Sequence, residues 1–283
     1  MNNVKPLPLA MGETHHILAL SGGKDSTALA IYMRDKVRQM KYVFCDTGYE
    51  LKETYDYLKR VEAFLGKPIT RLTPDGITFD DLLEMRNGFL PSPQVRWCTE
   101  HLKIKPYEKY IGDAKVISYV GIRSDESHRQ GYISSKPNIT TIFPFVEDNL
   151  VRSDIIRILE NSTFRDGRKL GLPKYYEWRS RSGCFFCFFQ QRREWVGLLE
   201  THPKLFLRAM QYEKENTTTG ERYTWIQGES LEELSRPERI AEIKADFKRR
   251  LEREETQYSD GKLTGIFANT RDDGGDGCTI CKF

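Results

Sequence analysis

The stretch HHILALSGGKDSTALAIYMRD, residues 15–35, sets an apolar run ending at Leu20 against an Ala/Leu-rich run, with Ser21, Gly22, Gly23, Lys24, Asp25 and Ser26 between them. Paired glycines let a backbone turn tightly and approach a ligand closely. A helix beginning at about Asp25 presents free N–H groups and the positive end of its dipole, a combination that favours an anion. Lys24 adds a full charge, and Ser21, Ser26 and Thr27 add hydroxyls. A plain strand-to-helix turn with a capping serine needs neither the glycine pair nor the lysine. The mononucleotide P-loop spacing fails, because Leu18 stands where its first glycine belongs and Asp25 follows the lysine. The dinucleotide G-x-G-x-x-G pattern fails as well.

The rest of the chain bounds the answer. It has 283 residues, 39% hydrophobic and 30% charged, with a net charge of +3. Such a chain is expected to be globular, with room for one large or two modest domains. The charge is compatible with a nucleic-acid partner without requiring one. No run of apolar residues is long enough for a membrane span, and residues 1–16 lack the apolar core of a signal peptide. The six cysteines are therefore expected in a reducing cytoplasm, where pairs bind metal or do redox work more often than they form structural disulfides.

Strand patterns at His16–Leu20, Lys41–Cys45, Ile69–Leu72 and Val116–Val120 alternate with helix patterns at Ser26–Asp35, Lys52–Leu65 and Phe79–Met85. This predicts an α/β domain, a parallel twisted sheet with helices on both faces, followed by a smaller, mainly helical domain. The expected division is residues 1–175 and 176–283, with a boundary near Pro173–Ser182. In the second part VRSDIIRILENS predicts a helix with Ser153 as a possible cap, and SLEELSRPERIAEIKADFKRRLEREE predicts a solvated, mixed-charge helix. Ligands of parallel sheets sit at the carboxyl ends of the strands. Three suspect loops fall there, after Leu20, after Cys45 and after Val120.

The loop Ser21–Ser26 resembles, at six of six positions, the SGGxDS signature of the PP-loop ATP pyrophosphatases, which cleave ATP between the α- and β-phosphates. Three further segments are similar to the phosphoadenylyl-sulfate (PAPS) reductase branch of that group. FCDTGYELKETYDYL carries Asp46, Thr47 and Gly48. VRWCTEHLKIKPYEKYIG carries Cys98 with Arg96, Lys103 and Lys105 near it in sequence, but has Thr99 where the iron–sulfur adenylyl-sulfate reductases have a second cysteine. YVGIRSDESHRQG carries Arg123 and Arg129, whose guanidinium groups would face phosphate. Together these motifs resemble the PAPS-reductase-like superfamily and, within it, the DndC/SspD-type proteins of DNA phosphorothioation. The resemblance runs from about His16 to Glu200 and weakens beyond.

Cys184-x-x-Cys187 and Cys278-x-x-Cys281 form a four-thiolate pattern that suits zinc or an iron–sulfur cluster. The resemblance implies a [4Fe–4S] cluster held by Cys98, Cys184, Cys187 and a tail cysteine, Cys281 with Cys278 competing. Zinc, or free redox-active or sulfur-carrying thiols, stay open. Cys45 reads as a buried small hydrophobe. The phenylalanines around Cys184 are expected to form core, and Arg179, Arg181, Arg192 and Arg193 to contact a polyanion.

The function the resemblance implies is an ATP pyrophosphatase that adenylates an acceptor oxygen for sulfur insertion. Lys24, Asp25, Cys98 and Arg123 would act in catalysis. ATP with Mg²⁺ would lie on Ser21, Gly22, Gly23, Lys24, Asp25, Ser26, Asp46, Thr47, Gly48, Arg123 and Arg129. Cys98 would attack as a thiolate among basic residues if it is not a ligand. The implied partners are a cysteine desulfurase as sulfur donor, DNA ahead of transfer RNA as acceptor and other modification-system subunits, with no membrane. A PAPS or adenylyl-sulfate reductase, a transfer-RNA thiolation enzyme and a non-catalytic nucleotide-binding subunit are the alternatives. The tail Cys278-Thr279-Ile280-Cys281 departs from the E-C-G-L-H-like tail of those reductases.

Overall fold

The computed structural model describes residues 6–126, 134–215 and 222–257. Five parallel strands form the sheet: β1 Thr14–Ala19, β2 Lys41–Cys45, β3 Ile69–Leu72, β4 Lys115–Tyr119 and β5 Ile139–Ile142. Their order is β3-β2-β1-β4-β5. Strand order therefore reverses direction at β1, with β2 on one side and β4 on the other. That is the topological switch point at which open parallel sheets bind ligands.

The period-2 alternation of the strands separates two cores. Leu18, Leu20, Tyr42 and Phe44 pack with helices α1 Lys24–Met33, α2 Lys52–Leu65 and α7 Arg152–Glu160. Ile17, Ala19, Val43 and Cys45 face the other way, towards Tyr107 and Ile111 of helix α5, Lys105–Ile111. Both faces are thus covered, as the alternating pattern predicts. Helix α2 buries Thr54, Tyr57, Leu58, Val61 and Leu65, a helical stripe, and ends where Gly66 turns left-handed at φ 66°.

A third, aromatic core draws on both parts of the sequence. Tyr49, Phe79 of α3 (Phe79–Glu84) and Trp97 of α4 (Trp97–Thr99) pack with Phe185, Phe186, Trp195 of α8 (Arg192–Thr201), Phe206 of α9 (Pro203–Gln211) and Trp225. Helix α4 continues through a π-helical turn, Glu100–Ile104, into α5. A short helix α6, Pro144–Glu147, precedes α7; a two-residue ribbon, β6 Lys214–Glu215 with β7 Arg222–Tyr223, precedes α10 Leu231–Leu234 and α11 Pro237–Gln257. Among the described residues no helix is long and apolar enough to cross a membrane.

Three local expectations need correction. Strand β5 is not among the expected strands, because its ITTI run sets two threonines between the isoleucines and shows no apolar run. Ser153 is not the cap of α7: Val151 holds that place, and its N–H donates to Asp154 Oδ2 at 3.0 Å. The mixed-charge helix is broken between α10, which Ser230 caps by accepting the N–H of Glu233, and α11, which starts at Pro237.

Candidate active site

The Ser21–Ser26 loop leaves the carboxyl end of β1 and enters α1. Gly22 has φ 71°, and a Cβ there would stand 2.8 Å from Thr54 Cγ2. A Cβ on Gly23 would stand 2.8 Å from Ser182 Oγ. Turn and packing together call for glycine at 22, whereas at 23, with φ −91°, only the packing against Ser182 does. The serines knit the loop together: Ser21 N–H donates to Ser26 Oγ at 3.2 Å, Gly23 N–H to Ser21 Oγ at 3.3 Å, and Ser26 Oγ to the Gly23 carbonyl at 3.2 Å. The helix begins at Lys24, one residue ahead of the expected start.

Asp25 faces the loop after β4. Arg123 donates to Asp25 Oδ1 and to Asp125 Oδ1, each at 2.9 Å, and lies 3.6 Å from Glu126 Oε1. Burial works against the guanidinium charge, but Asp25, Glu126 and Asp125 outweigh it and hold the Arg123 pKa above its ordinary value. Gly121 brings the two loops together, since a Cβ on it would stand 3.2 Å from the Asp25 carbonyl oxygen. Arg123, expected to face phosphate, is engaged by three carboxylates in this structure and ties the two loops together. Arg129 lies outside the described residues.

The loop after β2 is built around a buried carboxylate. Asp46 Oδ1 accepts the Gly48 N–H at 3.0 Å and the Tyr55 hydroxyl at 2.7 Å. Thr47 donates to Glu50 Oε1 at 2.8 Å and lies 3.2 Å from Cys184 Sγ. Burial raises the Glu50 pKa against the opposing pull of Lys103. The Cys184 thiol is desolvated and sits beside Glu50, so its pKa is pushed up to about 12. Cys45 is buried on β2 and pushed up to about 12 by the same desolvation.

Sequence reasoning missed what covers these loops. Residues 173–184 run as a strap across them. Tyr175 donates to the Gly22 carbonyl at 3.2 Å, the Tyr176 hydroxyl accepts the Lys24 N–H at 2.9 Å, and Ser182 donates to Ser21 Oγ at 3.3 Å. Lys24 Nζ donates to the Ser180 carbonyl at 3.3 Å, and Ser180 N–H donates to the buried Glu194 at 2.6 Å. Desolvation holds the Tyr176 phenol well above its ordinary pKa, so it stays a neutral hydroxyl. The density of Tyr and Ser at 175–182 was the available signal.

The basic residues expected around Cys98 diverge. Arg96 donates to the Pro93 carbonyl and lies over Phe189, and Lys105 pairs with Glu100 at 3.0 Å. Lys103 is buried and acts on Glu50 and Cys184. Cys98, half-buried, lies near enough to Cys184 to contribute to its raised pKa. Phe185, Phe186 and Phe188 are core. Of the arginines expected on a polyanion, Arg179 is buried on the Gly183 and Cys184 carbonyls, Arg192 pairs with Glu229 and Arg193 stacks on Phe247. Arg181 lies over Phe189, as Arg96 does.

Cys184 and Cys187 share a tight turn, the Cys187 N–H donating to the Cys184 carbonyl at 3.1 Å. Among the described residues, no group of three or more His, Cys, Asp or Glu side chains is arranged to hold a metal ion. Of the expected ligands, Cys184 shares its turn with Cys187 and lies near Cys98. Cys278 and Cys281 lie outside the described residues.

Known proteins resemble parts of this chain. The chain is 30% identical over 203 residues to an uncharacterized protein of Methanocaldococcus jannaschii, covering 67% of this chain and 39% of that protein, so it spans well under half the length of that relative. It is 26% identical over 213 residues to an uncharacterized nin region protein of Escherichia phage lambda, covering 65% of this chain and 68% of the phage protein. A crystal structure of the PAPS reductase of Candida auris, in a phosphate complex, matches 53% of this chain and 72% of its own at 16% identity, with a TM-score of 0.39. Residues 15–141, from β1 into β5, match the model of the phosphoadenosine phosphosulfate reductase domain.

Proposed function

We propose that the protein is an ATP pyrophosphatase that adenylates an acceptor oxygen so that sulfur can be inserted. The observation that carries this reading is the Ser21–Ser26 loop: a left-handed Gly22 and a crowded Gly23 lead into the N-terminus of α1 at the switch point of the sheet. Helix N-terminal N–H groups and the Lys24 ammonium are suited to a polyphosphate. The β- and γ-phosphates would lie on this loop, and Mg²⁺ accompanying the triphosphate would supply charge neutralisation. Lys24 would stabilise the leaving pyrophosphate as the acceptor oxygen attacks the α-phosphorus. Asp25, in the first turn of the helix, is held by Arg123. For the acceptor, the resemblance to DndC/SspD-type proteins favours a DNA backbone oxygen, with a cysteine desulfurase providing sulfur. The test is product analysis. The parent should convert ATP to AMP and pyrophosphate, and Lys24→Ala should abolish pyrophosphate release. Release of ADP instead, or full activity in the variant, would overturn the assignment.

The reductase-domain match over residues 15–141 favours a second reading, a PAPS or adenylyl-sulfate reductase that uses the same loops for a nucleotide substrate. Sulfite release from PAPS with a thiol reductant, without pyrophosphate release from ATP, would decide for it.

A further inference from the structure

We propose that residues 173–184 couple the two strand-end loops, so that phosphate arriving on the Ser21–Ser26 loop displaces Tyr176 and loosens the strap that carries Cys184. The inference rests on the reading of that loop as a phosphate cradle.

Both groups of Lys24 that a phosphate would use are engaged by the strap. The main-chain N–H donates to the Tyr176 hydroxyl at 2.9 Å and Nζ donates to the Ser180 carbonyl at 3.3 Å. A single N–H makes one full-strength hydrogen bond, so a phosphate oxygen competes with Tyr176 for it. The phosphate bond is charge-assisted and roughly twice as strong as the bond to a neutral phenol. When the Lys24 N–H turns to phosphate the Tyr176 contact is lost and the Ser180 carbonyl has to share the Nζ donors with phosphate, while Tyr175 on Gly22 and Ser182 on Ser21 stay in place.

The other end of the same span rests on the second loop. Arg179 donates to the Gly183 carbonyl at 3.3 Å and the Cys184 carbonyl at 2.6 Å. Phe185 N–H donates to the Tyr49 carbonyl at 2.8 Å, and Cys184 Sγ lies 3.2 Å from Thr47. Gly183, at φ 135°, sits between the two ends in a conformation that side-chain-bearing residues rarely adopt. A shift at Tyr176 is therefore passed along about eight residues of continuous chain, across a glycine joint, to the thiol. In this arrangement Cys184, half-buried, stays on Thr47 until phosphate is in place.

Hydrogen–deuterium exchange of the full chain, read by mass spectrometry over residues 174–185, tests this with inorganic pyrophosphate and Mg²⁺ as the probe. Saturating pyrophosphate should speed exchange across the segment by about tenfold. Tyr176→Phe should show the faster exchange without ligand and bind pyrophosphate about two- to tenfold more tightly, because a competing hydrogen bond is gone. Ser182→Ala, which removes a different strap contact, should also speed exchange and provides the check should Tyr176→Phe fold poorly. Pyrophosphate that binds by calorimetry while exchange over 174–185 stays unchanged or slows would overturn this inference alone. Absence of binding in parent and variants alike would bring down the cradle reading, and this inference with it.

Discussion

Replacing Arg123 by alanine tests how the loops after β1 and β4 are held together. The guanidinium donates to Asp25 and Asp125 at 2.9 Å each and stands 3.6 Å from Glu126. The side chains of Asp25 and Glu126 are 8% and 4% exposed, whereas that of Asp125 is 37% exposed. Asp125 can therefore turn to water when the guanidinium is removed, but the other two carboxylates are left desolvated. Breaking a buried ion pair by deleting one partner costs about 3–5 kcal/mol. Lys24 Nζ, 3.8 Å from Asp25 Oδ2, relieves part of that and points to the lower end, about 3 kcal/mol. Against a total stability of about 5–15 kcal/mol, this is a large fraction. Urea denaturation should register it. The deficit should shrink as pH falls, because a buried carboxylate that has lost its cation takes up a proton more readily when folded than when unfolded. Adding Asp25→Asn should recover part of the loss, and the double-mutant cycle isolates the Arg123–Asp25 term. A loss below about 1 kcal/mol would mean that the carboxylates do not depend on Arg123, and the tie would fail.

Gly22→Ala combines a left-handed residue with a methyl 2.8 Å from Thr54 Cγ2, so urea denaturation should show a loss of about 2–4 kcal/mol, and under about 1 kcal/mol would refute the packing argument. Burial raises the Glu50 pKa in the fold. The stability linked to that group is fully present below its unfolded pKa and is lost as pH rises through the folded one, so the stability of Glu50→Gln relative to the parent should climb with pH from about 4.5 upward in urea titrations; a flat difference would refute the burial. With its thiol pushed up to about 12, Cys184 should react with iodoacetamide at pH 8 roughly a thousandfold more slowly than a free cysteine, as read by fragment-ion mass spectrometry.

What was legible in the sequence is what neighbouring residues decide. The parallel strands show as short apolar runs, and Lys41–Cys45 and Ile69–Leu72 match the observed strands end to end. The glycine–lysine turn is visible because strand, turn and helix follow each other directly. Partners brought together by folding left no such mark. Tyr176 meets Lys24 across 152 residues, Cys184 meets Thr47 across 137, and Arg123 meets Asp25 across 98. Arginine was the most misleading residue type. An arginine on a loop and an arginine buried against carbonyls, such as Arg179, have the same local sequence character, and only the acceptors that folding supplies separate them.

These long-range contacts bear on how the two parts of the chain can work. The α/β region supplies the Ser21–Ser26 and Asp46–Glu50 loops at the carboxyl ends of adjacent strands β1 and β2. The later region supplies Tyr176, Ser180 and Ser182 to the first loop, and Cys184 to the second. Phe79 and Trp97 stack at 5.0 Å between ring centroids, and Phe79 meets Phe186 at 4.2 Å, so an aromatic core joins the two regions and takes in Tyr49 of the second loop. Close-packed interiors pass displacements on instead of absorbing them. A change at the nucleotide loop that moved the strap would therefore meet this packed core at Phe185 and Phe186, and the movement would be taken up at Gly183, where a Cβ would meet nothing within 4 Å, and at the thiol next to it.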